Sequence, residues 1–423
     1  MENRYDKYKD SGIAWIGEIP EHWKIIDLKY LSDIRGRIGF RGYTVSDLVS
    51  EGEGAFVIGG KHINQCVLNM ESPDYISWDK YYESPEIMVS KGDIVMAQRG
   101  TLGKVAIIEY DINEATINPS LVLIKNIKCQ GKFLYYYLNS ESTLTLISIL
   151  NTATAVPMIS QNQIENMPIP IPSSIEQQSI ATYLDQKCGE IDELITLQEE
   201  MITKLQSYKQ SVITEAVTKG LGKNVPLKDS GIEWIGEIPE HWSLVSIGKL
   251  FNIYAGGDAK PDYYSDTKDF EHPFPVYTNT RSEHEIYAYT SKAIFPANTI
   301  TVTGRGDVGH AIYRRIPYDA IIRLLSLIPK NNYDCRFYTY FIDIVIPFMD
   351  GKSAVAQLSA LQLKPQLVCL PSNKEQQSIA DYLDQKCSEI DELISIKQQK
   401  IEKLKDYKKS LIFECVTGKR KVS

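Results

Sequence analysis

This chain repeats its frame but not what fills it, and that constrains its fold more than any other feature. Residues 9–23 read KDSGIAWIGEIPEHW and residues 228–242 read KDSGIEWIGEIPEHW, agreeing at 14 of 15 positions, with Ala14 replaced by Glu233. A second match pairs residues 176–195, EQQSIATYLDQKCGEIDELI, with residues 375–394, EQQSIADYLDQKCSEIDELI, at 18 of 20 positions. Long-period self-similarity fixes the architecture into which every later reading must fit. Between these blocks lie 152 residues in the first half and 132 in the second, and the two stretches barely resemble each other. One scaffold presenting two distinct heads accounts for that pattern, whereas a plain tandem duplication would have drifted everywhere.

The length of 423 residues itself asks for about two or three cores. Inside the variable stretches faint echoes survive: residues 99–103 (RGTLG) against 305–309 (RGDVG), and Ala155, Val156 and Ser160 against Ala354, Val355 and Ser359. The heads are therefore expected to share a fold. β-Branched and aromatic runs at residues 93–97, 104–108, 299–303 and 309–313, punctuated by Gly, Pro and Asn, predict mixed α/β heads rich in short strands.

After each head comes a helix. Ser173 with Glu176, and Ser372 with Glu375, have the spacing of a capping box directly after proline-bearing apolar runs. From there apolar residues recur at steps of four and three. Ile180, Leu184, Ile191, Leu194 and Leu205, together with Ile379, Leu383, Ile390, Leu393 and Leu404, are the candidate coiled-coil and partner-interface positions. Ordinary helical core is the alternative for such a stripe. Residues 176–196 sum to −4 and 375–396 to −5, whereas 397–413 sum to +4 and 197–219 to zero, so charge favours an antiparallel pair. About 40 residues at ~1.5 Å rise make each helix about 60 Å long, the dimension of a spacer. The expected class is α+β: two α/β heads joined by two long antiparallel coiled-coil helices in a pseudo-twofold internal repeat. The boundaries are 1–172 and 220–371 for the heads, each opening with its repeated segment, and 173–219 and 372–417 for the helices.

Catalytic signatures are missing where they were sought. Residues 54–61, GAFVIGGK, lack a glycine and the hydroxyl residue of a phosphate-binding loop, and no dinucleotide or zinc-protease motif occurs. The acidic group Asp262 and Asp266 is too tightly spaced for a nuclease centre and reads as a surface loop. His22 and His241 belong to the repeated frame and read as structural, as do Trp15, Trp23, Trp234 and Trp242. Seven cysteines without a Cys-x-x-Cys pair fit reduced thiols and no structural zinc, with Cys188 and Cys387 inert. Neither a signal peptide nor an ~18-residue apolar run is present, so a soluble cytoplasmic protein is expected.

A net charge of −8 means that an anionic partner must be met by local patches. Arg35, Arg37 and Arg41 are spaced by glycines and aromatics. Arg99 and Gly100, with Lys104, sit where a hairpin tip is expected, and Arg305, Gly306, His310, Arg314 and Arg315 repeat that logic in the second head. Glycine lets backbone N–H groups approach phosphates, and arginine makes bidentate contacts to guanine edges or phosphates. A structural turn with a merely solvated arginine is the alternative, and both could hold.

Taken together, the doubled DSGI-x-WIGEIPEHW segments, the stretch GDIVMAQRGTLGKVAI at residues 92–107 and the proline-led starts of both helices resemble the specificity (S) subunit of type I restriction–modification systems. The resemblance covers essentially the whole chain. Residues 296–300 (PANTI) depart from residues 91–95 (KGDIV), so the two heads are expected to differ in reading detail. The resemblance implies a non-catalytic DNA-reading subunit with two target-recognition domains. It further implies double-stranded DNA, two modification subunits and two restriction subunits as partners. S-adenosylmethionine, ATP and Mg would sit on those partners, with no cofactor or metal on this chain and no membrane. Two unlike heads would read two unlike half-sites separated by an unread gap. A coiled-coil scaffold that gathers protein partners without DNA is the competing expectation.

Overall fold

The computed structural model describes residues 4–422, except 38, 40, 41, 65, 66, 152–155, 223, 283, 307 and 349–356. The chain divides into two compact units, one of residues 1–198 with 399–423 and the other of residues 199–398. Arg41, Ala155, Ala354 and Val355 lie outside the described residues.

In the first unit the repeated segment forms a hairpin of Tyr8–Asp10 with Glu18–Pro20 and ends in Trp23, which is fully buried. Lys24–Asp27 then pairs antiparallel with Pro168–Ile171, so the strands entering and leaving the head lie side by side. The head carries two four-stranded sheets. One is antiparallel, in the order Val105–Ile107, Ile94–Ala97, Leu121–Lys125 and Asp33–Gly36. The other runs Ala115–Ile117, Gly54–Ile58, Asp74–Ser77 and Leu48–Val49, with its first pair parallel. Side chains alternate along the central strands with period two. Ile94, Met96, Val122 and Ile124 face a core shared with Phe133, Leu134, Ile180 and Leu184. Val95, Ala97, Leu121 and Leu123 face Phe56, Ile58 and Ile117 of the other sheet. Burial on both faces explains why these strands read as unbroken apolar runs.

The second unit repeats that topology strand for strand. Its antiparallel sheet runs Ala311–Arg314, Thr299–Val302, Leu325–Pro329 and Phe251–Ala255. Its other sheet runs Asp319–Ala320, Phe274–Tyr277, Ala288–Thr290 and Tyr264–Ser265, again with the first pair parallel. The filling differs. Where the first head has Val95 and Leu123 between its sheets, the register of the second puts Thr301 and Ser326 there, both buried. Thr299 Oγ1 lies 3.1 Å from the Tyr318 hydroxyl, and Thr301 Oγ1 accepts from Arg314 Nε at 2.9 Å. At these positions the second head thus places hydroxyl side chains where the first has aliphatic ones.

The two long helices are Ser174–Lys219 and Asn373–Val416. Both capping boxes form: Ser173 Oγ lies 2.9 Å from Glu176 Oε2, and Ser372 Oγ 2.7 Å from Glu375 Oε2. Each head is keyed to the helix that follows it. Asp185 receives Lys132 at 2.7 Å and the Tyr136 hydroxyl at 2.8 Å, while its counterpart Asp384 receives Arg336 at 2.9 Å and Tyr340 at 2.8 Å.

Within each unit the helix segments run antiparallel, as their charge anticipates. Lys408 binds Asp192 at 2.7 Å in the first unit, and Lys209 binds Asp391 at 2.6 Å in the second. Leu184, Cys188 and Ile191 pack with Leu411, Ile412 and Cys415 in one core, and Ile213, Ala216 and Val217 with Ile379, Leu383 and Cys387 in the other. Ile180 and Ile390 are also buried, and Leu205 and Leu404 half-buried. Leu194 and Leu393 correct the expected stripe, being 42 % and 48 % exposed. From Ile191 the buried line steps instead to Ile195, Gln198, Ile202 and Leu205, and from Ile390 to Ile394, Lys397, Ile401 and Leu404. Steps of three and four admit either phase, and the one adopted takes the polar Gln198 and Lys397 into the line.

Candidate nucleic-acid interface

In the first head the strands Ile94–Ala97 and Val105–Ile107 form a hairpin whose tip carries Arg99 and Gly100. Gly100 has φ +77° and donates its N–H to Pro157 O at 3.0 Å. Arg99 is exposed, bridges to Met158 and places Nε 3.1 Å from that residue's sulfur. The second head builds the same turn from Thr299–Val302 and Ala311–Arg314. There Gly306 has φ +69°, and Arg305, also exposed, bridges to Gln357 as Arg99 does to Met158. Gly309 is required for a second reason: at φ +90°, a Cβ would come within 2.3 Å of the Phe348 ring. In both heads the segment behind the turn is fixed by a capping box, Ser160 with Gln163 and Ser359 with Gln362.

The second turn is also tied to a neighbouring loop. Asn279 Oδ1 accepts from Gly304 N at 2.7 Å and Arg305 N at 3.3 Å. His310 places Nδ1 2.6 Å from Asp343 Oδ1 and Nε2 2.9 Å from the Arg281 carbonyl oxygen. A carboxylate and a carbonyl only accept, an arrangement that favours the doubly protonated ring and leaves neither ring nitrogen free. The hydrogen bond to Asp343 raises the His310 pKa above its ordinary value, with burial opposing it. Arg305, His310 and the exposed Arg281 thus gather on one loop cluster of an acidic chain. Sequence reading gave no reason to single out Asn279, Arg281 or Asp343, because isolated polar residues in loops carry no periodicity.

Two expected DNA contacts point inward instead. Arg37 is 7 % exposed, with Nη2 3.2 Å from Thr116 Oγ1, and burial pulls its guanidinium pKa down. Arg314 is 3 % exposed, bonded to Thr301 and stacked 3.6 Å over the Tyr277 ring. Each bridges the two sheets of its head, a place where a planar guanidinium satisfies several acceptors and an aromatic face at once. Arg35 is exposed at the end of Asp33–Gly36 and lies 3.8 Å from Asp33. Lys104 is half-buried behind the first turn, and Arg315 is exposed beside the Tyr313 ring.

Each repeated frame anchors its helix start. His22 Nε2 lies 2.9 Å from Glu176 Oε1 and His241 Nε2 2.8 Å from Glu375 Oε1. Among the described residues no group of three or more His, Cys, Asp or Glu side chains could hold a metal ion, and no helix is long and apolar enough to cross a membrane. Burial raises the Cys188 thiol to about 11 and raises that of Cys387 as well.

The family model described as the type I restriction modification DNA specificity domain matches residues 66–206 and 239–406. A putative type I restriction enzyme MjaX specificity subunit from Methanocaldococcus jannaschii is 26 % identical over 96 % of each chain. A putative type I specificity subunit from Mycoplasma pneumoniae is 25 % identical over 73 % of this chain and 89 % of that one. A chain from a solved type I R-M system shares the fold with a TM-score of 0.73 at 15 % identity, over 94 % of this chain and 98 % of its own. The HsdS subunit from Thermoanaerobacter tengcongensis aligns with a TM-score of 0.52 at 16 % identity, over 95 % and 98 %. With two matched segments, two heads of one topology and two antiparallel helix pairings, the chain belongs to the type I restriction–modification DNA specificity family.

Proposed function

We propose that this chain is the sequence-reading subunit of a type I restriction–modification complex, that it performs no covalent chemistry itself, and that each head reads one half of a bipartite duplex target. The observation that carries this reading is the recurrence of one exposed Arg-Gly turn, Arg99–Gly100 and Arg305–Gly306, on heads that share topology and differ in filling. A conserved presentation with a changed context is what two unlike half-sites require. Arg99 and Arg305 supply backbone or base-edge contacts, with Arg35, Lys104 and Arg315 at the margins, while His310 braces the second turn through Asp343 and the Arg281 carbonyl. On this reading the partners are double-stranded DNA, two modification subunits and two restriction subunits, in the cytoplasm. S-adenosylmethionine belongs to the former, and ATP and Mg to the latter.

Replacing residues 24–172 with the corresponding segment of a relative tests the assignment. One half of the bound sequence is expected to change while the other persists. Binding to duplex should also weaken steeply with salt, as counterions are released from the phosphates. An exchanged chain that still binds the original two-part target would overturn the reading.

A further inference from the structure

The second head contains a strained turn that its fold does not need. Between Asp319–Ala320 and Leu325–Pro329, Ile322 has φ +53° and Arg323 φ +59°. Other described non-glycine residues with positive φ occur singly, at Ser72, Glu114, Asn126 and Asn298. This pair alone places a β-branched side chain in the left-handed region, where the Cβ crowds the backbone. A two-residue turn of this hand is normally Asn-Gly or Gly-Gly. In the first head the equivalent turn, closed by Leu121 N donating to Asn118 O as Leu324 N donates to Ile321 O, has Pro119 and Ser120 at its centre and contains no positive φ. Closing the two strands therefore does not account for Ile and Arg at these positions.

The surroundings hold the strain in place. Ile322 N donates to Gly257 O at 2.9 Å, and Asn279 Nδ2 donates to Ile322 O at 2.6 Å. The same Asn279 accepts from the Gly304 and Arg305 amides, so one side chain clamps this turn to the Arg-Gly turn. Gly304 admits the approach, since a Cβ there would lie 2.7 Å from Arg323 O. Both side chains of the strained pair nevertheless point to solvent, with Ile322 42 % exposed and Arg323 exposed beside it. Strain kept by a backbone clamp while the side chains stay outside is characteristic of a recognition element rather than of a packing solution.

We propose that Ile322 and Arg323 form a base-reading element of the second head. Arg323 takes the O6 and N7 acceptors of a guanine in the major groove, and Ile322 packs on the apolar edge of the adjacent base, a thymine methyl where one is present. Arg305 on the clamped neighbouring turn holds a flanking phosphate, and His310, with both ring nitrogens engaged by Asp343 and the Arg281 carbonyl, fixes that turn in place. The inference rests on the DNA-reading assignment above, and the two fail in different ways.

The test is selection of bound sequences from a pool of random duplexes by the full chain, with its modification partner, as wild type, Arg323→Gly, Arg323→Ala and Ile322→Gly. Glycine relieves the strain, so Arg323→Gly and Ile322→Gly should melt no lower than wild type, and a lost preference in them cannot be a folding defect. Wild type is expected to yield a two-part motif. Arg323→Gly and Arg323→Ala should lower discrimination about tenfold or more at one guanine in one half and leave the other half unchanged. Ile322→Gly should relax the neighbouring position. If wild type selects the two-part motif and all three variants select the same one, the element is overturned while the DNA-reading assignment stands. If wild type selects no motif, the assignment itself falls, and this inference with it.

Discussion

The Trp242 indole Nε1 donates to Glu375 Oε1 across 3.1 Å, whereas the equivalent nitrogen of Trp23 has no partner among the described residues. The frames around them are nearly identical, so the difference comes from outside the repeat. In the first unit Glu176 is engaged by His22 and by the Tyr5 hydroxyl, whose pKa is raised by burial and then by this carboxylate. Position 224, which corresponds to Tyr5 in the repeat, is Asn. Trp242→Phe should therefore cost about 1–2 kcal/mol more than Trp23→Phe, since the first breaks a bond to a carboxylate and the second removes a buried orphan donor. Denaturant titration of both variants measures the difference, and equal costs would show that the bond contributes nothing.

Acid stability should depend on Glu375. Burial alone would raise its pKa, but hydrogen bonds from Ser372, His241 and Trp242 outweigh that and hold it at about 2, against an ordinary 4.5. A carboxyl depressed on folding contributes stability that is complete above the unfolded pKa and is lost as pH falls through the folded one. The contribution should therefore be present above about 4.5 and fade between about 4.5 and 2. Glu375→Gln should lower the melting temperature at pH 6, with the gap to wild type closing toward pH 3. A gap of constant size would mean that the carboxylate charge is not the source.

The antiparallel pairing can be tested by charge reversal. Asp192→Lys should destabilise by up to about 1 kcal/mol, because its pair with Lys408 is half-exposed, and adding Lys408→Asp should recover most of that loss. Asp391 with Lys209 should behave alike. A double reversal no more stable than the single one would argue against the pairing.

The inward arginines and the exposed one should separate cleanly. Arg314→Ala leaves Thr301 and the Tyr277 face uncompensated in a buried layer and should cost about 2–4 kcal/mol. Arg305→Ala should change stability by less than about 0.5 kcal/mol, while weakening duplex binding and lowering its salt slope by roughly one. Thermal melts and binding at several salt concentrations distinguish the two.

Legibility from sequence followed the physics of each feature. The capping boxes at Ser173 and Ser372 and the helices after them could be read because their signals are local and periodic. The antiparallel pairing was readable from block charge, which survives errors in register. The phase of the seam was not, since a rule that excludes polar residues prefers Leu194 over a line through Gln198. Arg37 and Arg314 read as surface because charge predicts exposure on average, and only tertiary structure reveals the acceptors that let a guanidinium be buried. Asn279 was invisible: its role is to clamp two turns far apart in sequence, and no local pattern records that.

Two heads reading two half-sites would direct modification to a two-part motif, and single-base mapping of methylated adenine in cells with and without this gene measures that most directly. A bipartite motif with a fixed unread gap should carry the modification in the first case and lose it in the second. If every modified motif persists in the deletion while the partner methyltransferase is shown to be active, the chain does not direct modification and the account is contradicted.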